Sequence, residues 1–145
     1  MPLMEQLDLN ADHWEKMRSH VEACQPLEGC GLLAGRDGLV VRVLPVRNAA
    51  QSPIRFRMDP AGQLSAFRDM DDLGLELLGI FHSHPAESPG GITPPEGPSE
   101  TDVSEAAYPV VHVIWSRRLG VWGAQGFWME PGWIRQVPIV IRSSK

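Results

Sequence analysis

Cysteine is scarce in this chain, with only Cys24 and Cys30 among 145 residues. Two thiols do not make a disulfide framework, so the fold must rest on a packed core. A reducing cytoplasm with both thiols free is the expected setting, although their spacing leaves a bridge between them open. No apolar run approaches the length that spans a bilayer. The first ten residues, "MPLMEQLDLN", lack a basic segment followed by an apolar one, so no signal peptide is expected. Basic charge is not in excess either: 13 Lys and Arg face 18 Asp and Glu, for a net charge of -5. That excludes a general attraction to nucleic-acid phosphates, and Arg117-Arg118 is too small to form a patch. There is no internal repeat and no linker. What remains is a hydrophobic fraction of 43% and a charged fraction of 21%, which fit one ordinary globular domain over residues 1–145.

The chain alternates helical and extended patterns. "LDLN" reads as a short strand, with Asn10 or Asp12 as cap of a helix running to about Cys24. Trp14, Met17, Val21 and Cys24 share its inward face, and Pro26 ends it. "GCGLLAG" and "LVVRVLPV", joined by Asp37-Gly38, predict a hairpin over Gly29 to Val46. Asp59 and Pro60 open a second helix with Leu64, Phe67 and Met70 as its apolar face. "LELLGIFH" predicts a central strand, Leu75 to His82. Five prolines and three glycines within residues 83–98 predict no regular structure there. "SETDVSEAA" predicts a short helix. "VVHVIWS", "GVWGAQGFWME" and "WIRQVPIVI" predict three more strands. The class is therefore α/β (α+β), with one mixed, mostly antiparallel sheet flanked by helices.

Within "HSHP", His82 and His84 stand at i and i+2 of an extended segment, so their side chains share a face and can reach one metal ion. The plainer alternative is a polar pair at a strand end. Ser99 and Asp102, in "PSETD", carry two compatible readings as well. Ser-x-x-acid is a helix-capping pattern, and a helix start is also a rigid place from which to aim Asp102 at an ion. His82, His84 and Asp102 together supply three nitrogen or oxygen ligands. Three protein ligands with a water in the fourth position is the catalytic zinc pattern. Such a water attacks carbonyls once a carboxylate base takes its proton.

"PLEGCGLLAG", "NAAQSPIRFRMDP", "HSHP" and "PSETD" together resemble the JAMM (JAB/MPN-type) metalloprotease family in its prokaryotic branch. The family pattern is a Glu ahead of a Cys-Gly-Leu-Leu strand, then His-x-His-Pro, then Ser-x-x-Asp. The resemblance covers Leu7 to Ile141. It implies the MPN/JAB-type, cytidine-deaminase-like fold. It implies one Zn2+ per chain on His82, His84 and Asp102, with a water as fourth ligand. Glu28 matches the family's general acid/base, and Ser99 the residue that hydrogen-bonds the oxyanion. The implied activity is hydrolysis of a peptide or isopeptide bond after the C-terminal Gly-Gly tail of a ubiquitin-like protein, of the sulfur-carrier kind. One departure stands out: thirteen residues separate Pro85 from Ser99, where the family's gap is about half that. This leaves substrate preference and leaving group open.

Other polar residues carry plain expectations. His112 alternates with valines as a strand-face residue. His13 and His20 are expected to be exposed on the first helix. Glu87 and Glu96 are expected to be solvated, and the five tryptophans to be packing anchors. Cys30, two residues from Glu28, is either a buried apolar thiol or a residue facing the site. Two rival functions follow: an inert MPN-type interaction domain, and a structural zinc site completed by Cys30. Neither oligomeric state, homodimer included, nor the identity of the carrier protein is encoded in a readable way.

Overall fold

The computed structural model describes residues 5–87, 109–130 and 132–143. The chain runs β1 (Leu7–Asn10), α1 (Ala11–Cys24), β2 (Cys30–Arg36), β3 (Leu39–Val46), α2 (Pro60–Leu73), β4 (Glu76–Glu87), β5 (Val111–Arg118), β6 (Val121–Glu130), β7 (Trp133–Val137) and β8 (Ile139–Arg142). The strands form one sheet in the order β7-β6-β5-β4-β2-β3-β1-β8. β4 with β5, β1 with β3 and β1 with β8 are parallel, and the other neighbours are antiparallel. The mixed, mostly antiparallel α+β expectation therefore holds.

Local chemistry explains the helices. The Asn10 side chain accepts from the His13 backbone N–H at 2.8 Å, and the His13 ring returns a bond to the Asn10 backbone. This reciprocal cap places Asn10, not Asp12, at the start of α1. Asp59 caps α2 by accepting from Gly62 N–H at 3.0 Å, with Pro60 at the first helical position. The β2–β3 turn puts both Asp37 (φ 53°) and Gly38 (φ 77°) in the left-handed region, the geometry that joins tightly twisted hairpin strands.

The helices cover opposite faces of the sheet. Met17 and Val21 of α1 pack with Leu33, Phe81, Val111, Val113 and Trp115. Ala66 and Met70 of α2 pack with Leu32, Ala34 and Ile80. Met70 is buried and Phe67 packs against the same cluster, as expected; Leu64, also expected on the inward face of α2, is 52% exposed, and Ala66 is buried in its place.

Two strand expectations change. β4 does not stop at His82 but continues to Glu87, through Pro85, because β5 pairs with it as far as Ser83↔Trp115, His84↔Ser116 and Glu87↔Arg117. The ladder is irregular between His84 and Glu87, where proline lacks the N–H a regular ladder requires. The last predicted strand is two: Pro138 divides "WIRQVPIVI" into β7 and β8, which occupy opposite ends of the strand order. Consecutive strands at opposite ends require the sheet to curl until its ends meet, and Leu7 N–H bonds Pro138 O at 2.9 Å at that meeting point. Ser99, Asp102, Glu96 and the predicted "SETDVSEAA" helix lie outside the described residues. No described helix is long and apolar enough to cross a membrane.

Candidate active site

Ile80 of β4 belongs to the apolar cluster under α2. Strand alternation then puts His82 and His84 on that same face, further along β4. Phe81 and Ser83, fully buried, point to the α1 side. His82 is buried and His84 half-buried. Their ring centroids are 5.1 Å apart, with planes at 61°. Two imidazoles on one tetrahedral ion, with Zn–N of about 2.0–2.1 Å, have centroids about 5 Å apart, so the pair fits a shared ion. Phe56 stacks on His82 at 4.5 Å and 20°. Stacking holds the ring by its face and leaves the edge nitrogens for other partners.

Glu28 lies just before β2 and is 3% exposed. Cys30 pairs with His82 across the β2–β4 ladder, and one step further Ser83 N–H donates to Gly29 O at 3.0 Å. Continuing that register sets Glu28 across from His84. The Glu28 and Gly29 backbone is fully engaged: Glu28 N–H donates to Ser52 O at 2.8 Å, Glu28 O accepts from Asn48 Nδ2 at 3.1 Å, and Gly29 N–H donates to Ser83 Oγ at 2.8 Å. A Cβ on Gly29 would lie 3.1 Å from Val21 Cα and 3.3 Å from Cys24 Sγ, so a side chain here would press the segment before β2 away from α1 by a few tenths of an ångström.

The structure thus brings together three of the five expected site residues, His82, His84 and Glu28. The other two, Ser99 and Asp102, lie outside the described residues, and among the described ones there is no cluster of three metal-ligating groups. Cys30 is fully buried; its thiol donates to Val46 O at 3.4 Å, and burial pushes its pKa up to about 12. The thiol is thus turned to β3 and engaged with its backbone. Cys24 and Cys30 are both free. His112 lies on β5 between Val111 and Val113, as its alternation with valines implies, and is buried. His13 and His20 are half-buried rather than exposed. His20 Nε2 sits 3.1 Å from Cys30 O and 3.6 Å from Cys24 Sγ, and burial lowers its pKa.

Sequence reasoning assigned no role to three residues that make positioning contacts: Asn48, Phe56 and Ser83. Ser83 carried a signal, since the middle residue of an extended His-Ser-His must face away from the histidines. Asn48 and Phe56 sit in an irregular loop, where periodicity carries no information.

Residues 10–130 match the family model described as prokaryotic homologs of the JAB domain. This chain belongs to that family. It is 36% identical over 128 residues to a Thermus thermophilus protein named "Probable TtuB-protein conjugate cleaving protease", covering 88% of this chain and 77% of the relative. It is 36% identical over 110 residues to a Mycobacterium tuberculosis protein named "CysO-cysteine peptidase", covering 74% and 70%. A solution structure of a Desulfitobacterium hafniense protein superposes with a TM-score of 0.82 at 34% identity, covering 96% and 94%. The JAB1/MPN domain protein from Archaeoglobus fulgidus shares the fold, with a TM-score of 0.55 at 16% identity, covering 94% and 100%. The MPN/JAB-type fold expected from the motifs is therefore the one observed.

Proposed function

We propose that this JAB-family chain is a zinc-dependent peptidase or isopeptidase. It hydrolyses the bond that follows the C-terminal Gly-Gly tail of a ubiquitin-like protein of the sulfur-carrier kind. The observation that carries the reading is the shared face of His82 and His84 at one end of β4, with buried Glu28 across the ladder. The relatives' names point the same way and differ in the group released: a protein conjugate in one and cysteine in the other.

In this reading His82, His84 and Asp102 hold one zinc ion, which would supply Lewis acidity for the scissile carbonyl and the attacking water. Glu28 takes the proton from that water and returns it to the leaving amine. Its backbone is pinned on both sides, so only the side-chain torsions remain to carry the proton between the two positions. Phe56 shields one face of His82 from solvent. Ser99 donates its hydroxyl hydrogen to the oxyanion.

The test incubates zinc-loaded chain with ubiquitin-like carrier proteins bearing C-terminal extensions, and reads cleavage after Gly-Gly by mass spectrometry. Cleavage that is removed by chelation and absent from Glu28→Gln supports the proposal. Intact substrates across all carriers from the same genome would overturn it.

A further inference from the structure

The loop between β3 and α2 supplies neither a zinc ligand nor a base in the proposed reaction, yet its one buried polar side chain makes four hydrogen bonds. Asn48 is 8% exposed. Its Nδ2 donates to Glu28 O at 3.1 Å and to Arg55 O at 3.0 Å. Its Oδ1 accepts from Ala50 N–H and Arg57 N–H, each at 3.0 Å. A side-chain amide offers two donors and two acceptor sites, and all are used. One bond ends on the residue that carries the proposed base. Two end on the residues either side of Phe56, the ring stacked on His82. The loop ends are closed independently of this amide, by Ala49 N–H to Arg57 O at 2.7 Å and Asp59 N–H to Arg47 O at 2.9 Å.

We infer that Asn48 is a positioning residue for the reaction: it holds the Glu28 peptide in register against the loop that packs on His82, and so sets where the Glu28 carboxylate reaches. This rests on the proposed role of Glu28. The geometry distinguishes it from a mere loop staple, because the loop already closes through backbone bonds while Glu28 O has this amide as its donor. Misplacement of a reacting group by about 1 Å costs on the order of 100-fold in rate, so a bond that fixes one peptide can matter far beyond its stability.

Asn48→Asp is the sharpest variant. It keeps the shape and both accepting contacts but removes the two donors. At saturating zinc, with an extended carrier protein as substrate, kcat is expected to fall about 10- to 100-fold while KM stays within about threefold. In a Glu28→Gln background the same change is expected to alter residual turnover by less than about threefold, because interacting sites fail to add. Amide hydrogen exchange at Glu28 and Gly29 is expected to quicken at least tenfold, with β4 and β5 amides unchanged. Native kcat for Asn48→Asp alongside an inactive Glu28→Gln overturns the inference and leaves the proposed function standing. Equal losses in both backgrounds also overturn it, since Asn48 would then act other than through Glu28. An active Glu28→Gln overturns the catalytic reading beneath both. Should Asn48→Asp fail to fold, Asn48→Ser in the same cycle applies the same criteria.

Discussion

The two sides of β4 are built from the same strand and do opposite work. Phe81 and Ser83 face α1, where the cluster around Met17, Val21, Val113 and Trp115 is apolar and closed to water. Ile80, His82 and His84 face the α2 side, where the apolar packing ends and histidines, Phe56 and the Glu28 segment begin. The α1 side holds the strand still; the α2 side uses that stillness. Ser83 joins the two, since from the α1 side it ties Gly29 next to Glu28.

The comparison breaks most severely at the histidines. His82→Ala with His84→Ala is expected to reduce bound zinc from about one per chain to none while the α1-side core persists. Retained zinc, measured by elemental analysis, would move the site off this face. Next in size, Glu28→Gln is expected to lower turnover about 100- to 10,000-fold with fold and zinc intact. Turnover within about threefold of native would remove Glu28 as the base.

Phe81→Ala sharpens the contrast from the other side. Removing this buried ring is expected to cost about 3–5 kcal/mol of stability in a denaturant titration, with kcat of the folded fraction nearly unchanged. A parallel collapse of kcat would show the two sides to be inseparable. Ser99→Ala is expected to raise the activation barrier by about 3 kcal/mol and to cost about 1 kcal/mol of stability. A lowered melting point with native kinetics would assign Ser99 to helix capping alone.

The smallest effect belongs to the α1 side. Burial lowers the His20 pKa below its ordinary 6.5. The unfolded chain therefore takes up a proton at a higher pH than the folded one. Stability from this group is complete above about pH 6.5 and declines as pH falls through that value toward the folded pKa. His20→Gln should flatten that decline in thermal melts between pH 7.5 and 5.5. An unchanged slope would place the proton uptake elsewhere.

Sequence reasoning reached furthest where structure is decided locally. The Asn10 and Asp59 caps, Pro60, the Asp37-Gly38 turn and the His-x-His alternation each depend on residues a few positions apart, so their chemistry can be read in place. It reached the proposed site through the resemblance of "PLEGCGLLAG", "HSHP" and "PSETD" to the JAMM family, and the structure sets Glu28 across the ladder from the strand that carries His82 and His84. It failed where a distant partner decides. The run past His82 read as irregular because prolines break isolated strands, yet pairing with β5 carries β4 on to Glu87. His20 looked exposed on helical spacing, but the β2 backbone lies against it.

From its own sequence this chain determined its class, its capped helices, its tight turn and the shared face of His82 and His84, because propensity, capping and alternation act over a turn or two of chain. Only the tertiary structure decided that Pro138 would send β7 and β8 to opposite ends of a curled sheet. The same holds for Phe56 lying on His82 and for Asn48 clamping a residue twenty positions earlier in the chain. Those outcomes depend on which buried groups meet across the fold, and a buried donor or ring must find a partner wherever the packed sheet brings one.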